Sequence, residues 1–200
     1  MAKANWIKTN PSQGSGNAVV NVSSTAEHTG RNARTTTLTW KSANVADVVR
    51  NVSQAGKPEY VDIDDSASSD KDGKVVTING LSNSAKLTFK LGTGNLNVSL
   101  PSTYIANSVS TSNGANIAGD PGALAVYNFS ISINVPANEG TTSLTRQIIV
   151  EDNAGNRDVC LLTLASGDAY ITIAEGTIEL DYLGTPVAVQ VQSNTTWTIE

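Results

Sequence analysis

The last residues of the chain, Ser193-Asn194-Thr195-Thr196-Trp197-Thr198-Ile199-Glu200, read like a second copy of an early segment, Ala4-Asn5-Trp6-Ile7-Lys8-Thr9-Asn10. Internal repetition constrains a fold more than local propensity does, because a unit that cannot bury its own apolar face has to bury it against another unit. The repeat is long, roughly 110 residues, and three further matches support it. Gln54-Ala55-Gly56-Lys57-Pro58-Glu59-Tyr60-Val61-Asp62-Ile63 pairs with Leu164-Ala165-Ser166-Gly167-Asp168-Ala169-Tyr170-Ile171-Thr172-Ile173, each a strand end, a small-residue turn and a new strand. Upstream, Asp47-Val48-Val49 matches Asp158-Val159-Cys160, and residues 33–38 match 145–150 loosely. Downstream, Leu91-Gly92-Thr93 followed by Leu96, Val98 and Leu100 matches Leu183-Gly184-Thr185 followed by Val187, Val189 and Val191. The expected organisation is a complete unit at 59–167. It is flanked by a unit at 1–58 that lacks its first strands and by the first strands of a further unit at 168–200.

Alternation is the dominant local pattern. Phe129, Ile131, Ile133 and Val135 fall on one face while Asn128, Ser130, Ser132 and Asn134 fall on the other, the period-2 signature of a half-buried strand. It recurs at Ala18-Val20-Val22, Thr36-Leu38-Trp40, Leu87-Phe89-Leu91, Leu96-Val98-Leu100 and Val187-Val189-Val191, with turn chemistry between at Asn10-Pro11, Asn113-Gly114 and Asp120-Pro121-Gly122. No stretch carries a helical period beyond one possible turn at 42–49. The fold class is therefore all-β, as tandem immunoglobulin-like sandwiches with incomplete repeats at both termini.

Two segments stand outside the strand pattern. Residues 62–73, with five aspartates, have no counterpart after Ile173 and read as an insertion. Clustered carboxylates suit calcium, yet EF-hand spacing and a closing bidentate Glu are missing, so a solvated loop is expected and no metal site. Residues 105–123, rich in Ser, Asn and Gly, read as a flexible tip or contact loop.

Charge and composition narrow the function. A net charge of -5 without a Lys/Arg cluster argues against nucleic acid and anionic membranes, and no apolar run reaches the length of a membrane helix. The segment after Met1 has no apolar signal core, so the expectation is a protein assembled in a host cytoplasm without export. Cys160, the single cysteine, sits between Val159 and Leu161 and reads as a small buried hydrophobe. His28, the single histidine, lies in the turn Ala26-Glu27-His28-Thr29-Gly30 and reads as solvated. One histidine and one thiol exclude histidine-rich or thiolate zinc sites and leave a His-dependent nucleophilic triad only His28 to use. No carboxylate is expected at an inward strand position beside an aromatic, which disfavours a glycosidase pair. The chain is read as no enzyme and as needing no cofactor.

A family resemblance sharpens this. Ser-Asn-x-x-Trp-x-Ile at 193–199, the Gly-rich turn at 14–16, the strand Ala18-Val19-Val20-Asn21-Val22, the Arg-led strand at 34–40 and the closing Val52-Ser53-Gln54-Ala55-Gly56 together resemble the BACON domain. This is a small immunoglobulin-like module of gut Bacteroidales and their phages. The match covers 168–200 and 5–56. In 59–167 it departs: Tyr104-Ile105 stands where Trp-x-Ile would be, and the Gln-x-Gly ending is replaced by Leu164-Ala165-Ser166-Gly167. The resemblance implies a module without catalytic residues, either carbohydrate-associated or structural.

Two functions follow as expectations. The first is a virion structural protein, a capsid decoration or auxiliary protein resembling those of crAss-like phages, whose partners are other copies of itself and the capsid lattice. A unit missing its first strands leaves an open apolar groove and unpaired backbone groups, which proteins do not leave uncovered. Residues 168–200 are the missing piece, within the chain or from a neighbour, by strand addition. The assembly residues are then Trp197, Ile199, Val187, Val189, Val191 and Trp6. The alternative is a carbohydrate-binding module for host or gut glycans, with Trp6, Trp40, Tyr104 and Trp197 as stacking platforms, although packing inside a core is the expected role of Trp40.

Overall fold

The computed structural model describes residues 3–174 and 176–200. Four strands precede residue 58: β1 (Ile7–Asn10) pairs antiparallel with β2 (Asn21–Ser24), and β3 (Arg34–Trp40) pairs antiparallel with β4 (Val48–Gln54), as two separate ladders. Nine follow: β5 (Val61–Ile63), β6 (Ser66–Ser69), β7 (Lys74–Ser82), β8 (Leu87–Gly94), β9 (Thr103–Ala106), β10 (Val109–Ser112), β11 (Tyr127–Val135), β12 (Leu144–Asp152) and β13 (Arg157–Leu164). Beyond them β14 (Ile171–Ile173) pairs with β15 (Val191–Ser193). The only helical element among the described residues is a 3-10 turn at Pro121–Ala123. The chain is all-β.

β5 to β13 form two sheets, one of order β10-β9-β11-β7-β5 and one of order β6-β13-β12-β8. Their inward side chains make one core, in which Ile78 and Ile133 from the first sheet and Leu87, Ile148, Leu162 and Leu164 from the second have no solvent exposure. Burying each such side chain stabilises the fold by about 1.5–3 kcal/mol. The alternation read in β11 holds along its length: Tyr127, Phe129, Ile131, Ile133 and Val135 are buried, and Asn128, Ser132 and Asn134 are exposed. Phe89 and Phe129 meet edge to face at 5.8 Å between ring centroids, a preferred aromatic geometry. Close packing reaches the backbone at Gly80, where a Cβ would overlap the Phe129 ring and the Asp62 carbonyl.

The acidic segment is not the solvated loop expected. β5 pairs antiparallel with β7, the chain crosses at Asp64-Asp65, and β6 then pairs parallel with β13 in the opposite sheet. All five aspartates stay exposed, but the path is held by hydrogen bonds: the Asn79 amide donates to Asp64 Oδ2 at 2.9 Å, the Ile63 amide to Asp158 Oδ2 of β13 at 2.7 Å, and the Leu161 amide to the Asp65 carbonyl at 2.9 Å. Small polar residues at an edge carry no apolar alternation, which hides β6 in the sequence. Residues 105–123 are also more ordered than expected, since β9 and β10 form a hairpin. Its turn residues Asn107 and Ser108 have φ of 47° and 65°, the sign a tight primed turn requires. Conversely, Leu96 and Val98 are buried as their alternation demands, yet 96–100 pairs in no ladder.

Burial collapses outside β5–β13. Among the described residues of 1–58, Ile7 and Leu38 are the only large apolar side chains that are buried. Among those of 168–200 there are none.

Candidate functional site

Residues 1–58 and 168–200 are held at opposite ends of the central sandwich. At one pole lie the C-terminal end of β7, the N-terminal end of β11 and the 3-10 turn. The Arg31 and Asn32 amides donate to the Gly122 and Ala123 carbonyls at 2.9 and 3.0 Å, and the Val126 amide donates to Thr29 Oγ1 at 3.2 Å. Gly30 is required here, because a Cβ would overlap the Leu124 backbone. Arg31 pairs with Asp120 and Glu59, and the hydrogen bond it donates to Asp120 raises the guanidinium pKa above its ordinary value.

At this joint Asn83, fully buried, turns its amide to three carbonyls of the linking chain. Nδ2 is 3.3 Å from Thr29 O and 3.2 Å from both Lys57 O and Pro58 O, while Oδ1 accepts the Tyr60 amide at 3.0 Å. His28 lies beside it and is buried, with Nε2 2.7 Å from the Asn32 carbonyl oxygen. It is thus not the solvated turn residue expected; the packed joint covers it.

The opposite pole is formed by the start of β7 and the end of β11. Lys71 Nζ lies 3.1 Å from Asp168, the Gly167 amide donates to the Gly140 carbonyl at 2.7 Å, and Asn194 Nδ2 donates to the Glu139 carbonyl at 2.8 Å. The hydrogen bond to Asp168 raises the Lys71 pKa. β7 has nine residues and rises about 3.3 Å per residue, so the poles stand roughly 26 Å apart along this strand alone.

On the 1–58 side a cleft of about 790 Å³ opens between residues 9–20 and β3. Thr36, Thr37, Leu38, Thr39 and Trp40 line it consecutively. Side chains of a strand alternate between faces, so a consecutive lining means the cleft runs along the strand's edge. That edge faces away from β4, and its main-chain groups have no backbone partner among the described residues.

The aromatic candidates separate clearly. Tyr104 is 3% exposed and packs at a tilt against Phe89, 5.0 Å between ring centroids, so it is a core residue and no sugar platform. Trp40 is 41% exposed at the cleft, correcting its expected place inside a core. Trp6 is half-buried under the Arg34 guanidinium, 4.6 Å from the ring centroid. Trp197 is 47% exposed, Ile199 84%, and Val187 and Val189 are also exposed, while Val191 is half-buried in β15. The strand expected through Val187, Val189 and Val191 is paired only from Val191 onward.

Cys160 is fully buried, and burial pushes its thiol pKa up to about 11. Asp152 is a buried carboxylate, which the sequence reading did not anticipate. It holds the turn after β12, accepting from the Ala154 and Asn156 amides at 2.9 Å. No group of three or more potential metal ligands occurs among the described residues. Arg31 and Asn83 are the residues the sequence reading missed, and neither lies in a motif that could have signalled it.

A scan of protein-family models finds no match to the chain, and neither does a search of curated proteins.

Proposed function

We propose that the chain is a non-enzymatic structural protein built of tandem immunoglobulin-like units: a capsid decoration or auxiliary protein of a tailed phage of the crAss-like kind, acting by adhesion and strand exchange. One observation carries this reading. A closed central sandwich holds, at its two ends, units whose apolar residues are left open to solvent. A soluble chain does not keep such surfaces uncovered without a partner.

The strand order supports the immunoglobulin-like assignment. β5, β7, β11 and β9 occupy the positions of strands A, B, E and D, with β8, β12 and β13 as C, F and G. The BACON resemblance of 5–56 and 168–200 supports the phage context. The test is co-sedimentation of the purified chain with phage heads stripped of accessory proteins. Saturable binding at lattice stoichiometry is the expected outcome, and chains remaining in the supernatant at all concentrations would refute it.

A second reading keeps one specific observation, the exposed Trp40 beside a cleft lined by Gln13, Thr36 and Thr39. An aromatic face with adjacent hydroxyls and an amide suits stacking on a sugar ring. Binding on a glycan array that is lost in Trp40→Ala would favour carbohydrate recognition over capsid adhesion.

A further inference from the structure

We propose that the cleft along β3 receives residues 168–200 of a second copy, so that copies join head to tail through a basic acceptor pole and an acidic donor pole. The inference rests on the assembly reading above and adds the partner, the polarity and the force that selects it.

Charge is the first support. Residues 1–58 carry seven Lys or Arg against two Asp or Glu, a net +5, whereas 168–200 carry no Lys or Arg and five Asp or Glu, a net -5. The central 59–167 carries six against eleven, so the basic character is confined to the acceptor unit. Lys3 and Lys41 stand at the cleft itself. Opposite net charges on two surfaces of one chain favour their contact and disfavour like-to-like pairing.

Open apolar surface is the second support. Eleven large apolar side chains of 168–200 are exposed among the described residues, including Tyr182 at 95%. The cleft presents Ala18, Val20 and Trp40 beside an unpaired strand edge. Val187, Val189 and Val191 alternate along one face of an extended segment, so that segment can add to the β3 edge and turn its apolar face into the cleft.

Geometry then excludes closure within one copy. Asp168, Gly167 and Asn194 tether the donor to the pole carrying Lys71, Glu139 and Gly140, while the acceptor is clamped to the far pole by Arg31 and Asn83. A donor and an acceptor at opposite ends make a heterologous contact, which propagates as a directional chain of copies.

The test uses two full-length variants in sedimentation velocity. Val189→Asp breaks the donor and makes it more acidic; Ala18→Arg fills the cleft and makes it more basic. Loss of association in either therefore reports fit and not charge. Both residues are exposed in the single chain, so the central sandwich should melt unchanged. The wild-type mass should grow with protein concentration, and its association constant should fall on the order of tenfold or more between low and high salt, as screening removes the attraction. Each variant alone should remain monomeric, and a mixture should give a dimer of one copy of each, since one good donor and one good cleft remain. A wild-type monomer at every concentration overturns the inference, as does a mixture that stays monomeric while wild type associates. A monomer that still co-sediments with phage heads leaves capsid adhesion standing; growing chains that ignore the heads leave head-to-tail joining standing without it.

Discussion

Arg31 Nη1 donates to the main-chain carbonyl of Asn83 at 2.9 Å, joining residues 52 positions apart and tying the first unit to the central sandwich. The same guanidinium pairs with Asp120 and Glu59, and Asn83 in turn holds three carbonyls of the linking chain. One buried amide and one half-covered guanidinium thus set the orientation of the basic cleft.

Replacing Asn83 with Leu should destabilise the chain by about 1–3 kcal/mol, the cost of stranding buried backbone polar groups. Urea unfolding followed by circular dichroism reads this. Asn83→Asp should cost more, because a carboxylate would face three carbonyl oxygens.

Arg31→Met removes a partner from both Asp120 and Glu59 while keeping most of the side-chain volume. The joint should loosen without melting the sandwich. Amide exchange should rise at 28–32 and 120–126, and small-angle scattering should show a broader range of lengths. Unchanged exchange at those residues would mean that Asn83 alone holds the joint.

Ile133→Ala should cost about 2–5 kcal/mol, since a fully buried side chain leaves a cavity. Trp197→Ala should cost the monomer within about 0.5 kcal/mol, as a half-exposed side chain without a core beneath it. Its effect should appear instead in self-association, and paired thermal melts at high dilution and at high concentration separate the two.

Cys160 offers an internal reporter. Its thiol is buried and its pKa is raised to about 11, so at neutral pH it is neutral and inaccessible. Labelling by a thiol reagent should follow global unfolding of the sandwich and should accelerate in Ile133→Ala but not in Trp197→Ala.

Acid should weaken the C-terminal end of β12 through Glu151. Its carboxylate accepts from Lys90 Nζ at 3.0 Å and Arg157 Nε at 2.7 Å, and these hydrogen bonds hold its pKa below the ordinary glutamate value. A depressed carboxylate stabilises the folded chain above the unfolded pKa, and that contribution disappears as pH falls through the folded one. Glu151→Gln should therefore flatten the acid limb of the stability curve, read from thermal midpoints across that range.

Legibility followed the chemistry of each segment. β8 and β11 were readable because one face meets the core and the other meets water, which writes alternation directly into residues such as Phe129-Ser130-Ile131-Ser132-Ile133. β6 was not, because Ser66, Ser68 and Ser69 serve an edge where main-chain pairing decides the path. The charge partition between 1–58 and 168–200 was also present in the sequence, but it acquires meaning only once the two segments are seen as opposite poles.

The sequence by itself determined the all-β class, the strongest strands, the burial of Cys160 and the apolar faces of the terminal units, because each depends on residue type and period alone. Tertiary structure decided that Tyr104 is interior and Trp40 exposed, that the acidic stretch crosses between sheets, and that Arg31 meets Asp120 across 89 residues. Those outcomes depend on which faces find a partner, and period-2 alternation states only that a face is apolar.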